Sequence, residues 1–446
     1  MRLALPKSDA NAGQKPSTLR AWRNRNFRIY LMGQAVSQIG NWFQQTAEVW
    51  LILLLTGSGA AVGIQTALRF GPLLLFGIPA GYLTDRVDRR MLLFGTQIVY
   101  ILSAGAIAVT SFTGTVNLPL VYLTAFSRGI VNAIDNPLRR GFVRDLVNDE
   151  ELTNAVSLNS TMHTIARFIG PALAGAVIVA LGVSWCFTLN TISYTAVLLS
   201  LFLIDPKKMR PGHYEKEGGR QVFAGLKYAW ENQRIRRTLA MVTVFGLFVV
   251  NWDVVLPLYA TEEWAGNASL YGFFVSTIGV GSFLGAMVVL RITRIAGSYF
   301  RWIGAVMSAG FAVVAFTPLL PIAFLGLAVV GAMATAFQIF AQSRLQLEAE
   351  DRLSGRVLAL YSIALVGMRP IGAPIMGTIV DTFGPRYALG FSATVMALMV
   401  ITLLLTRPPR QVPDLTPIPA DVVRDAEDAD VDETVPIPSS GERHAG

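Results

Sequence analysis

The 446-residue chain has one cysteine, Cys186, so it can form no internal disulfide and no thiolate metal site. Charge is also scarce. Charged residues make up 15% against 53% hydrophobic, and mean hydropathy is +0.49, too little polar surface for a soluble globule of this length. No Gly-x-x-x-x-Gly-Lys-Ser/Thr run occurs, so no phosphate cradle for ATP is visible. The first 28 residues are polar and basic, with no short apolar run ending in a small-residue cleavage site. No cleavable signal peptide is expected, and the first span acts as the targeting signal. A net charge of +8 invites a nucleic-acid partner, but its placement argues against one.

The chain has apolar blocks long enough to cross a hydrocarbon core of about 30 Å. Bounded by charge or Gly/Pro clusters, they give six spans at 32–55, 61–83, 91–112, 118–138, 156–181 and 184–204. Six more follow at 238–260, 270–291, 300–318, 320–341, 358–380 and 387–406. Lys and Arg collect in every second connection. Arg20, Arg23, Arg25 and Arg28 precede span one, Arg86, Arg89 and Arg90 follow span two, and Arg139, Arg140 and Arg144 follow span four. The central stretch, Arg291 to Arg301, and Arg344 to Arg356 continue the series, with Arg386 as the exception. This positive-inside alternation predicts both termini and the central loop in the cytoplasm.

These features predict an all-α integral membrane protein of twelve transmembrane helices in two six-helix bundles. A cytoplasmic arm (1–28) precedes bundles at 29–204 and 238–406, which a cytoplasmic loop (205–237) joins. A Pro-, Asp- and Glu-rich tail (407–446) reads as disordered. The halves share a signal. Asn148 to Asn154 leads to Arg167-Phe168-Ile169-Gly170-Pro171, and Glu350 to Gly355 leads to Arg369-Pro370-Ile371-Gly372-Ala373. Halves that repeat in parallel place a small-molecule substrate at their interface near the midplane.

The second connection, Gly81-Tyr82-Leu83-Thr84-Asp85-Arg86-Val87-Asp88-Arg89-Arg90, resembles the signature loop of the major facilitator superfamily, with Asp88 in place of the usual second glycine. Arg128-Gly129 resembles its intramembrane arginine motif, and Gly170-Pro171-Ala172-Leu173-Ala174-Gly175 resembles the Gly-Pro motif of its antiporters. Asn132 to Pro137 and Gly355-Arg356-Val357 fit the branch holding enterobactin, macrolide and tetracycline exporters. The similarity runs from about Asn26 to Arg407. It implies a bacterial inner-membrane transporter, not an enzyme, that acts as a monomer and uses the proton gradient without a bound cofactor. It further implies that Asp85, with Gly81, Arg86, Arg89 and Arg90, latches one conformation against the other half, and that Gly170, Pro171 and Gly175 favour export.

An ionisable group at the bilayer centre costs about 2.5–3.5 kcal/mol on insertion scales, so charges inside spans carry most of the functional information. Glu48 is either a proton carrier or a structural acid paired with an arginine. It ends a polar face of Gln38, Asn41, Gln44 and Gln45 that suits a cavity. Asp253 is its counterpart in span seven, or an acid at the outer interface. Arg128 is the coupling candidate implied by the resemblance. Arg69, Arg167 and Arg369 lie on spans expected at the seam, either as ion pairs or as an electropositive floor for an anionic substrate. Asp135 reads as a helix-end acid and His163 as a packing residue. Trp50, Asn251, Trp252 and Tyr259 complete the candidate substrate wall. The expected function is proton-antiport export of a small amphipathic molecule such as a drug, with siderophore export as the alternative. A non-transporting membrane sensor is the reading from another class.

Overall fold

The computed structural model describes residues 20–84, 86–210, 228–292 and 297–406. Asp85, most of the predicted loop between halves and the predicted tail lie outside the described residues. The described chain is helical, and most helices start where the sequence supplies a cap. Asn24 accepts from Asn26 N–H at 3.0 Å at the start of α1 (Arg25–Thr56). α2 (Gly59–Thr84) follows a turn at Gly57, whose φ of 64° is the left-handed conformation that ends a helix. Asp88 accepts from Arg90 N–H at 2.8 Å and starts α3 (Arg89–Phe112), so the acid at the signature loop's glycine position works as a helix cap. Asn117 caps α4 (Leu118–Leu146). At the start of α5 (Asp149–Leu181), Glu151 accepts from Asn148 N–H, and α6 (Val183–Leu203) ends the first half.

In the second half two predicted spans are broken. Span seven is α7 (Gln233–Phe248), a break, α8 (Trp252–Leu258) and a π-helical turn, Tyr259–Glu263. At the break the Asn251 side chain donates to Leu247 C=O at 2.6 Å, occupying the acceptor that its own backbone N–H would use in a continuous helix. α9 (Ala268–Val289), α10 (Gly297–Phe316) and α11 (Leu320–Glu348) are unbroken. Span eleven divides into α12 (Asp351–Leu365) and α13 (Arg369–Phe383). Pro370 cannot sit in a helix interior, because its ring meets the carbonyl four residues back at Val366, where α12 stops. α14 (Pro385–Leu405) closes the fold. Counting the broken pairs once, the described residues form twelve rods.

Helices α1 to α6 pack on one another, as do α7 to α14. The two sets meet chiefly through α2 on α13 and α5 on α9. These contacts are backbone-close because small residues line them. A Cβ on Gly63 would fall 2.5 Å from Ala373 O, and one on Gly175 2.5 Å from Ala268 O. At the same level the Asp381 carboxylate of α13 reaches across to α2. It accepts from Ser58 Oγ at 2.6 Å and from Ala60 N–H at 3.0 Å, capping the first turn of a helix in the other half. One end of the bundle carries Arg25, Arg89, Arg90, Arg139 and Arg344, hereafter the basic end. The close inter-half contacts lie toward the opposite end.

Candidate transport cavity

Each half carries a buried acid on its first span that is paired with an arginine, Glu48 with Arg128 and Asp253 with Arg369. In the first half Glu48 is 0% exposed and Arg128 5%. The Arg128 guanidinium of α4 ion-pairs with Glu48, Gln44 Nε2 donates to the carboxylate at 2.8 Å and Gln65 Nε2 of α2 at 3.1 Å. Asn190 of α6 in turn donates to Gln44. A buried ion is tolerated when it is paired and its remaining lone pairs are filled, and Glu48 meets both conditions.

The second half repeats the pairing at the two helix breaks. Asp253, in the first turn of α8, accepts from Arg369 Nη2 at 2.8 Å, the first residue of α13. Gln45 Nε2 of α1 donates to the same carboxylate oxygen at 3.1 Å, and Arg69 Nη2 of α2 donates to Gln45 Oε1 at 3.2 Å. The Arg369 guanidinium lies 4.4 Å from the centre of the Phe70 ring, close enough for cation–π attraction. This cluster therefore joins both halves through α1, α2, α8 and α13.

Above these residues lies a cavity of about 740 Å³ that extends from mid-bundle toward the basic end. Gln38, Asn41, Trp42, Gln45, Arg69, Phe70, Arg128, Trp252, Asp253 and Arg369 form its floor and walls. Tyr30, Asn136, Arg139, Arg140 and Asn159 stand nearer the mouth, with His163 and Arg167 between. At the opposite end the path is shut by the Gly63, Gly175 and Asp381 contacts and by Trp50 stacked on Tyr271 at 6.4 Å.

Several candidate wall residues sit elsewhere. Gln44 supports Glu48 inside the first half. Trp50 belongs to the closed end, Asn251 is spent on Leu247, and Tyr259 is buried with its hydroxyl on Val314 C=O. Gln45, Arg69, Arg128, Arg167, Trp252, Asp253 and Arg369 do line the cavity. His163 and Arg167 are exposed to it. Asp135 is held by Arg139 and by Thr96 Oγ1 at 3.0 Å.

At the signature loop, Gly81 lies near the end of α2, and Arg86 is exposed. Arg89 pairs with Asp145 at 2.9 Å, and Arg90 donates to Leu201 C=O at 2.7 Å, so both anchor α3 to its own half. At the Gly-Pro motif, a Cβ on Gly170 would fall 2.5 Å from Trp42 Cβ. α5 runs unbroken through Pro171, and Ala172 N–H donates to Ser276 Oγ of α9 at 3.0 Å.

Phe70, Gln65, Asn190 and Asp381 escaped the sequence reading. Gln65 and Asn190 had a usable signal as polar residues inside apolar spans, and Asp381 as an acid at an otherwise sparsely charged end. Phe70 had none, because an aromatic in a span is ordinary.

Residues 16–433 match a family model described as a transmembrane secretion effector. The chain is 25% identical over 356 residues to the staphyloferrin A transporter of Staphylococcus aureus, covering 78% of this chain and 87% of that protein. It is 24% identical over 398 residues to the multidrug efflux pump Tap of Mycolicibacterium fortuitum, covering 84% and 93%. To macrolide efflux protein A of Streptococcus pyogenes it is 20% identical over 395 residues, covering 85% and 95%. Among solved structures, the nucleoside transporter NupG superposes with a TM-score of 0.69 at 12% identity, covering 85% of this chain and 98% of that one. A bacterial homologue of the iron transporter ferroportin, in its inward-facing state, superposes at 0.68 with 15% identity and the same coverages. At these identities the structural likeness shows the fold alone.

Proposed function

Because this chain belongs to the transmembrane secretion effector family, and so is a multi-pass membrane transporter of the major facilitator fold rather than an enzyme, we propose that it exports a small amphipathic molecule by alternating access. The observation that carries this reading is the cavity at the junction of the halves, open toward the basic end and shut at the other. Basic connections face the cytoplasm in membrane proteins. That orientation makes the cavity inward-open, with both termini cytoplasmic in a bacterial inner membrane.

The proton-motive force is the energy source, and Glu48 is the exchanging acid. In the inward-open form Glu48 is sealed and locked on Arg128. Of the pair, only Arg128 lines the cavity. Opening the opposite end brings water toward Glu48, which lies two turns from that end of α1. Protonation there breaks the pair, and on return the proton leaves past Arg128. Asp253 and Arg369 face the substrate instead. The relatives named for drug efflux and for staphyloferrin A transport support a small-molecule cargo of either kind, and the charge of the cavity bears on the choice.

In inverted vesicles an imposed proton gradient should drive substrate uptake, and Glu48→Gln should remove the gradient-driven part. Uptake that persists after the gradient is collapsed sinks the antiport reading. Normal gradient-driven uptake by the variant would leave Glu48 a structural role.

A further inference from the structure

Among the described residues, six arginines line the cavity against two aspartates. Arg128, Arg139 and Arg369 are matched by Glu48, Asp135 and Asp253. Arg69, Arg140 and Arg167 have no carboxylate partner among the described residues. Arg140 stands toward the mouth, where water can solvate it. Arg69 stands deeper and half-buried, where an uncompensated charge is expensive to keep, and Arg167 is exposed to the cavity between floor and mouth. Arg369 is also under-used. It meets Asp253 through one N–H, and its Nε is buried without an acceptor, whereas a guanidinium can hold a free carboxylate with two parallel bonds. α13 starts at Arg369, so the positive end of a half-helix adds to the same field. The Phe70 ring beneath Arg369 gives the occupant an apolar edge.

We propose that the cavity binds a molecule carrying two or more carboxylates, anchored by Arg369, Arg69 and Arg167, and that Asp253 is a built-in carboxylate which the substrate displaces from Arg369. This rests on the transporter reading above and names its substrate class. An incoming carboxylate takes the second donor of Arg369 that Asp253 leaves idle, while a second carboxylate reaches Arg69 or Arg167. Gln45, which bridges Arg69 and Asp253 across the halves, is released in the same exchange, so occupancy is felt at the inter-half contact. A cationic drug meets the reverse situation, with excess positive charge and one cavity-floor carboxylate already paired.

Citrate, as a tricarboxylate, and ethidium, as an aromatic cation, test the idea on the purified full chain, read by the fluorescence of Trp42 and Trp252 in the cavity wall. Citrate should titrate saturably, and ethidium should not compete. Arg167→Gln, at an exposed and unpaired position, should fold normally and weaken citrate about 10-fold, the loss of one charge-assisted hydrogen bond. Asp253→Asn removes the competitor and should strengthen citrate by about the same factor, a gain that a merely structural role for Asp253 would not produce. Saturable ethidium binding strengthened by Arg167→Gln overturns the proposal, and so does citrate binding indifferent to both variants. This assay needs no gradient. Citrate binding without gradient-driven transport therefore counts against the exporter reading alone, and gradient-driven ethidium efflux without citrate binding counts against the anion alone.

Discussion

Glu48 and Asp253 occupy related places, each on the first span of its half and each held by an arginine. Their surroundings differ. Glu48 accepts from three side chains within the first half and does not line the cavity. Asp253 faces the cavity and receives Gln45 from the other half. Replacing Glu48 by Gln leaves Arg128 charged at 5% exposure, and breaking a buried pair costs about 3–5 kcal/mol. Thermal unfolding in detergent should show that loss for Glu48→Gln. The double variant with Arg128→Met should recover much of it, because no buried charge is then left alone. Simple additivity of the two losses would show that the pair is not coupled.

At the scale of elements, the closed end is held by α2 against α13 and α5 against α9. The Asp381 cap on α2 is a polar bond across that seam that must break whenever this end opens. A lost helix cap costs about 1 kcal/mol, enough to shift a balanced two-state carrier several-fold. Asp381→Ala should therefore raise maleimide labelling of Ala60→Cys, measured in a Cys186→Ser background. Unchanged labelling would mean that the cap holds no closure. Gly175→Ala tests the apolar part of the same seam. Its Cβ would fall 2.5 Å from Ala268 O, so α5 and α9 must separate, an overpacking cost of about 1–3 kcal/mol that should appear as a lowered melting temperature.

The whole molecule moves charge if its cargo is an anion. Each negative charge leaving an interior-negative compartment is favoured by about 2.3 kcal/mol per 100 mV. Citrate efflux from proteoliposomes should therefore quicken when a potassium–valinomycin potential makes the interior negative, and slow when the sign is reversed. Efflux indifferent to potential would show that the anion crosses with its charge compensated. At this scale the fold was legible early, since apolar runs give most of the spans and the alternating basic connections check the count of the rest. α1 and α4 are the instructive pair, because neither is among the ten helices apolar enough to be found by hydropathy alone. They are the helices that carry Glu48, Arg128 and Asp135, whose polar side chains weaken the very signal that identifies a span.

The sequence by itself determined a membrane protein of two related halves, because hydrophobic run length and the cost of charge in lipid are local properties, and its likeness to transporters rested on the loop at Gly81 and the Gly170-Pro171 motif. It also identified the intramembrane acids and arginines as the residues to watch. Only the tertiary structure decided which of them meet. On α1 the polar face reading Gln38, Asn41, Gln44, Gln45 and Glu48 divides at its flank. Gln45 turns to the cavity, while Gln44 and Glu48 turn into the first half, because neighbouring helices α2, α4 and α6 present Gln65, Arg128 and Asn190 on that side. The breaks at Asn251 and before Pro370 have local causes, but the meeting of Asp253 with Arg369 depends on those two distant breaks coming together across the bundle. Helical periodicity assigns a residue to a face, but the partner of that face is set by packing across the bundle.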